Sequence, residues 1–377
     1  MTRYFFVVSL LAALAATAFG QTKSAFIATI GNDTLAVEQY SMKGNELTGV
    51  SVVRSPQTTV RNYRVTFGPK GRLDRFHVEY QPYGKPVSAE RDYIYYDDSV
   101  HIMVKQGGNV REMTSPVAGR PWPFFENLFA GWSTAIQQTI SQKKPSFGIL
   151  GGRRALEYVV KKGKGNKVEL QNADFGPMHV VMGKKGEFST FDMRATTDKY
   201  VVHRVTSLNV DAMGKRFAAM EQMGRGMGTL SPRDSVKATI NGGHIMIDYG
   251  RPSARGRKVF GNIVPWNEVW RTGANAATQL MTDKPIMVGG KMIPAGTYSL
   301  FTLPSEKGWQ LIINGQHGQW GTQYDQSKDV IRVPMDVKKI PGMVEEFVFE
   351  IVPRSGMNAT LMYRWEHTEA SVDFMVH

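Results

Sequence analysis

Alternation of apolar and polar residues with a period of two, interrupted every few residues by glycine-bearing turns, runs through most of this chain and leaves little room for helix. Tyr63-Arg-Val65-Thr-Phe67 and Arg75-Phe76-His-Val78-Glu-Tyr80 read as strands joined across Gly68-Pro-Lys-Gly71. Residues 93–105 read as a strand pair turning at Asp97-Asp98, and strand patterns return at 154–161, 167–170, 179–182 and 200–206. One stretch has a different period. Phe125, Leu128, Phe129, Trp132, Ile136 and Ile140 recur at spacings of three and four, which predicts a helix over 124–142, behind Pro121 and Pro123. Its polar face holds neither Lys nor Arg, so packing on its own sheet fits it better than lying on a lipid surface.

From Pro232 the strands crowd together. Residues 236–240 and 244–249 flank Asn241-Gly-Gly243, and 286–288 and 292–294 flank Gly289-Gly290. Further strands are predicted at 297–303, 309–313, 330–335, 346–352, 359–365 and 371–376, with Phe347, Phe349 and Ile351 on one face. The fold class expected is mainly β. A first antiparallel β-rich domain with one helix spans 21–207, a linker spans 208–230, and a second domain of sandwich or jelly-roll type spans 231–377. Within the linker a short Met-rich helix is possible over 211–223. Gly224-Arg-Gly-Met-Gly228 then lacks the strand-to-helix setting of a dinucleotide fingerprint.

The first twenty residues have the pattern of a secretory signal peptide: Arg3, an apolar run over 5–16, then Ala18-Phe19-Gly20. The run is short of the roughly 20 residues needed to span a bilayer. Export to the periplasm or beyond the cell is therefore the expectation. The chain has no cysteine, which excludes thiol catalysis, thiolate metal sites and disulfides, and leaves burial to stabilise it. Its net charge of +13 is spread over short basic pairs such as Lys143-Lys144, Arg153-Arg154, Lys161-Lys162 and Lys184-Lys185. Such pairs fit solubilising loops. They also fit attraction to anionic envelope partners: a lipid, an acidic glycan or a small anion. Nucleic acid is not expected, because no recognition module is present.

Between residues 250 and 298 arginines and glycines cluster in Gly250-Arg-Pro252, Arg255-Gly-Arg257, Trp270-Arg-Thr-Gly-Ala-Asn275 and Ala295-Gly-Thr-Tyr298. Planar, permanently charged guanidiniums need partners, and glycines permit close approach. The candidate ligand-binding residues are Arg251, Arg255, Arg257, Arg271, Asn275, Thr278 and Tyr298. If the guanidiniums converge they form an anion site. Alternatively they staple loops through Asp248, Glu268, Asp325 or Asp329. On a helical turn Arg271 and Asn275 would share a face. Asn275 could equally cap a turn through its own backbone.

No His-Glu-x-x-His, calcium loop or phosphate loop is present, so no metal or cofactor is expected. His244 and Asp248 would lie about 13 Å apart on a strand, too far for a base and its orienter. Gly131-Trp-Ser133 lacks the final glycine of a nucleophile elbow. Three functions stay open. They are a non-catalytic envelope module for an anionic or polyhydroxylated ligand, a hydrolase of carbohydrate or another envelope component using carboxylates such as Asp248, Glu268 or Asp325, and a lipid carrier built on the first domain.

The second half also matches a known pattern. Ser231-Pro-Arg233, Tyr249-Gly-Arg-Pro252, Gly256-Arg257, Val259-Phe-Gly261, Val269-Trp-Arg-Thr-Gly-Ala-Asn275, Thr278, Pro294-Ala-Gly-Thr-Tyr-Ser-Leu300, Trp309, Asn314, Tyr324 and Asp329-Val-Ile-Arg332 resemble, in register over 231–352, the family called domain of unknown function 2911. The resemblance implies an exported β-rich domain and no established chemistry. Where the commoner form carries an acidic residue, this chain has Ala276. The first domain lies outside the resemblance.

Overall fold

In the computed structural model the residues described are 24–377 except 124–126, 152–153, 174 and 185. The signal-peptide pattern of residues 1–20 and Phe125 of the expected helix lie outside them. The described residues form two β domains and two α-helices, the mainly β class that the alternation predicts.

The first sheet has fifteen strands. Eight of them, from Ser24–Ile30 to Asn109–Pro116, follow one another as antiparallel neighbours. The chain then passes through helix α1 (Phe129–Ser141) and returns strand by strand to Val201–Val205, which pairs with Ser24–Ile30 so that Ala25 faces Val205. Among the described residues, the one parallel pairing in this sheet joins Trp122–Pro123 to Ser146–Gly151.

Helix α1 is buried by its three-and-four pattern. Phe129 meets the rings of Phe26 and Tyr200, and Trp132 meets Phe147, Tyr158 and Phe191. It begins at Phe129 because Asn127 takes a left-handed φ of 60°. Leu128 at its N-cap has no side-chain acceptor, and the first orphan N–H groups turn instead to the buried carboxylate of Glu38. Glu38 accepts from Phe129 N at 2.6 Å, Ala130 N at 3.1 Å and the Tyr63 hydroxyl at 2.5 Å. Burial pushes its pKa up to about 7 against those hydrogen bonds.

Residues 208–230 are not a free spacer. Helix α2 (Val210–Gln222), capped by Asn209, packs Val210 and Phe217 on Val37 and Val52 of the first sheet. Positions 210, 213 and 217 fall on one helical face, and that amphipathic stripe needed a surface to cover. Beyond it Met227 is buried in the first core, while Ser55 and Arg54 bond the carbonyls of Gly228 and Arg225.

The second domain holds nine strands. Four strands predicted separately merge into two long ones, Asp329–Pro353 and Asn358–Val376. The register slips between Lys339 and Val344 and again between Val344 and Val348, so the ladder continues across irregularities that read as breaks in sequence. The first part of Asp329–Pro353 pairs with Trp309–Asn314 and the rest with Asn358–Val376. Apolar residues from these strands and from Gly243–Gly250 share one core, including Ile247, Leu311, Phe347, Tyr363 and Trp365.

The two domains meet at a turn. Gly31, with φ 60°, lets Asn32 N donate to Arg255 O at 3.0 Å. A Cβ on Gly31 would stand 2.1 Å from that same carbonyl oxygen. Among the described residues no helix is long and apolar enough to cross a membrane.

Candidate anion site between the two domains

Where the domains face each other they enclose a cleft of about 730 Å³. The first domain contributes Phe175, Met193, Asp198 and Lys199, and the second contributes Arg257, Glu268, Val269, Arg271 and Asn275. Leu230 closes it from the connecting segment.

Arg271 is placed by a loop with little freedom. Trp270 exchanges backbone hydrogen bonds with Thr302 at 2.8 Å each, and the Trp270 indole donates to Gly273 O at 3.1 Å. The Thr278 hydroxyl donates to Thr272 O at 2.8 Å, and the Thr272 and Thr302 hydroxyls are 2.9 Å apart. The Arg271 stem then lies on the backbone of Gly321. A Cβ there would stand 2.0 Å from Arg271 Cδ and 2.6 Å from Asn275 O, so this close approach requires glycine.

Held this way, the guanidinium meets no acid. Among the described residues Arg271 makes no hydrogen bond or ion pair, and its Nε is buried without a partner. Burial brings its pKa down to about 10, which still leaves it cationic at neutral pH. Its neighbours are cationic too. Lys199, in a left-handed turn with φ 60°, donates from Nζ to Arg194 O at 3.0 Å. Burial, then the charges of Arg271 and Arg257, bring its pKa down to about 8 against the opposing pull of Glu268. Arg257 donates to three carbonyls, Ser253 O at 2.8 Å, Ala254 O at 2.9 Å and Lys199 O at 3.4 Å. Its donors are occupied by neutral acceptors, and its charge is not neutralised by a salt bridge.

Of the seven candidate residues, Arg257, Arg271 and Asn275 line this cleft. The other four have structural partners elsewhere. Arg251 bridges Asp234 at 3.0 Å and Glu346 at 2.8 Å, although its Nε is buried unpartnered. Arg255 pairs with Asp33 of the first domain at 2.9 Å. Thr278 is fully buried, and the Tyr298 hydroxyl donates to Pro294 O at 2.9 Å, away from the cleft.

The helical turn from Arg271 to Asn275 does not form. Thr272 at φ 46° and Asn275 at φ 63° are left-handed, and Asn275 uses its carbonyl to hold Gly321 N at 3.0 Å. The acids considered as partners are mostly engaged elsewhere. Asp248 pairs with Arg233, Asp329 binds Arg332 and Tyr324, and Asp325 caps a short turn through Ser327. Only Glu268 of the four reaches the cleft. Asp248 is likewise not the partner of His244, whose Nδ1 lies 2.7 Å from Asp283 on the surface.

Lys199 escaped sequence reasoning, because one lysine in a polar turn looks like any solubilising charge. Only the docking of the second domain gives it cationic neighbours. Most of the aromatic residues of the second half go to the core: Phe260 packs among Trp266, Trp270, Trp309 and Trp365. Trp320 stays exposed.

No curated protein matches the chain. A crystal structure from Nitrosomonas europaea, described as a candidate AttH, aligns over 98% of this chain and 99% of its own at 9% identity, with a TM-score of 0.13 that supports no argument. Residues 231–374 match the family described as "Protein of unknown function (DUF2911)". That stretch begins just before the strand Arg233–Ile240 and ends within Asn358–Val376, so it is the second β domain, with Arg257, Arg271 and Asn275, that is similar to this family.

Proposed function

We propose that this chain is a non-catalytic binding protein of the cell envelope that takes an anionic ligand between its two domains. The observation that carries the reading is Arg271, a guanidinium fixed in the cleft with no acid to meet it among the described residues and with Lys199 and Arg257 adding charge of the same sign. Uncompensated cations at one place destabilise a fold, and an anion removes that cost on binding. Each charge-assisted hydrogen bond is worth about 1.5–3 kcal/mol. Gly321 gives a second support, since it makes room for the arginine where a side chain would displace it. The envelope setting rests on the signal-peptide pattern.

The hydrolase alternative has Asp198 and Glu268 on the cleft, both exposed. Acid–base pairs in such enzymes draw on contrasting surroundings, one carboxyl shielded and one open, and both of these are exposed. The carrier alternative needs a hollow first domain, and α1 with its aromatic neighbours packs against that sheet.

The test is thermal and calorimetric titration with small anions, acidic envelope glycans and anionic lipids. A ligand at 100 times its Kd should add about 2.7 kcal/mol of stability. Arg271→Ala should abolish that gain and leave the unliganded protein as stable as before. Binding that survives Arg271→Ala would remove the reading.

A further inference from the structure

The make-up of the cleft says more about its ligand, provided the anion reading above holds. We infer that the ligand is an amphiphilic monoanion. Its head group pairs with Arg271 and Lys199, and its apolar body lies on Phe175, Leu230, Ile263 and Val269.

The charge balance sets the head. Among the described residues, the charged side chains on the cleft are three cations, Lys199, Arg257 and Arg271, and two carboxylates, Asp198 and Glu268. One net positive charge suits one negative charge. A multiply charged ligand would leave its excess facing the two carboxylates. The planar guanidinium of Arg271, free of partners, offers the two-pronged grip that a carboxylate or phosphate monoanion fits.

The uncharged lining sets the body. Phe175, Leu230, Ile263 and Val269 are each half-buried on the cleft, with apolar surface still open to water. Phe175 and Leu230 pack on the first core and Ile263 on the second, so a ligand in the cleft would cover apolar surface from both sides. Two of the hydroxyls on the cleft already have partners. The Thr196 hydroxyl is taken by Met193 O at 2.7 Å, and the Tyr324 hydroxyl by Asp329 at 2.6 Å. Asn127 Oδ1 is a buried acceptor on the cleft that lacks a partner among the described residues. A cleft of about 730 Å³ is within the range that encloses a small organic molecule.

The experiment is calorimetry on the full chain with linear alkanoates from acetate to dodecanoate, each below its micelle concentration, beside inorganic phosphate and glucuronate. Affinity should rise about three- to fourfold per added methylene until the cleft is full. Leu230→Asn and Ile263→Asn should flatten that rise while keeping acetate affinity. Arg271→Ala should weaken every member of the series at least tenfold. If Arg271-dependent binding does not change with chain length, or if phosphate or glucuronate binds more tightly than decanoate, the amphiphile is wrong and the anion site stands. If no anion binds in an Arg271-dependent way, both fall. Unliganded melting temperatures of the variants separate lost binding from lost folding.

Discussion

Arg255 and Arg271 sit on separate loops of the second domain, and each loop packs against a glycine that admits no Cβ. At Arg255 the glycine belongs to the first domain: Gly31 brings the turn before Asp33 onto the Arg255 carbonyl, and Asp33 then meets the guanidinium at 2.9 Å. At Arg271 the glycine is Gly321 of the same domain, and no acid follows it. The first loop is a staple between domains, and the second holds a part-buried charge on the cleft. Arginine-plus-glycine composition alone does not separate a structural role from a binding one. The supply of carboxylates by the opposing surface does.

The comparison breaks most readily at Gly31. Gly31→Ala adds a Cβ that meets backbone at a left-handed position, and should cost about 2–4 kcal/mol in chemical denaturation, with the domains loosened. A smaller loss is expected from Arg255→Ala, about 1–3 kcal/mol, because Asp33 keeps a more distant partner in Arg54 at 3.7 Å. Arg271→Ala should change stability by no more than about 0.5 kcal/mol, or raise it, since it removes a charge with no partner. A loss comparable with that of Arg255→Ala would make the two arginines alike and end the contrast.

The smallest effect is a pH dependence. Lys199 has its pKa lowered from 10.5 to about 8, by burial first and then by its cationic neighbours. Between those values the unfolded chain keeps a proton that the folded chain has released. Stability from this group therefore rises as pH climbs from about 8 towards 10.5. Anion affinity should run the other way and weaken above pH 8 as Lys199 loses its charge. Lys199→Met should remove both slopes, which paired titrations of the variant and the parent would show.

Much of the architecture was legible in advance. The period-two runs located most strands, the face built on Leu128, Phe129, Trp132 and Ile136 located α1, and the turn at Asn241-Gly-Gly243 located a hairpin. The misses have physical causes. The segment 208–230 looked like a spacer because its apolar stripe is short, and only the surface at Val37 and Val52 shows what it covers. The strands at 330–335 and 346–352 look separate in the sequence, yet they form one long strand whose pairing resumes beyond a register slip. At the site, the loops bearing Arg257, Arg271 and Asn275 were legible as a concentration of special residues. Their division into residues that staple the loops and residues that line the cleft was not.

Sequence by itself determined the local conformations: which residues alternate, which turn, and which loops can pass close to other backbone. These depend on neighbours within a few positions, where side-chain sterics and burial period act directly. Tertiary structure decided which charges are neutralised, because a guanidinium pairs with whatever carboxylate the fold brings within about 4 Å, however distant in the chain. Asp33 reaches Arg255 across 222 positions, and among the described residues no carboxylate pairs with Arg271.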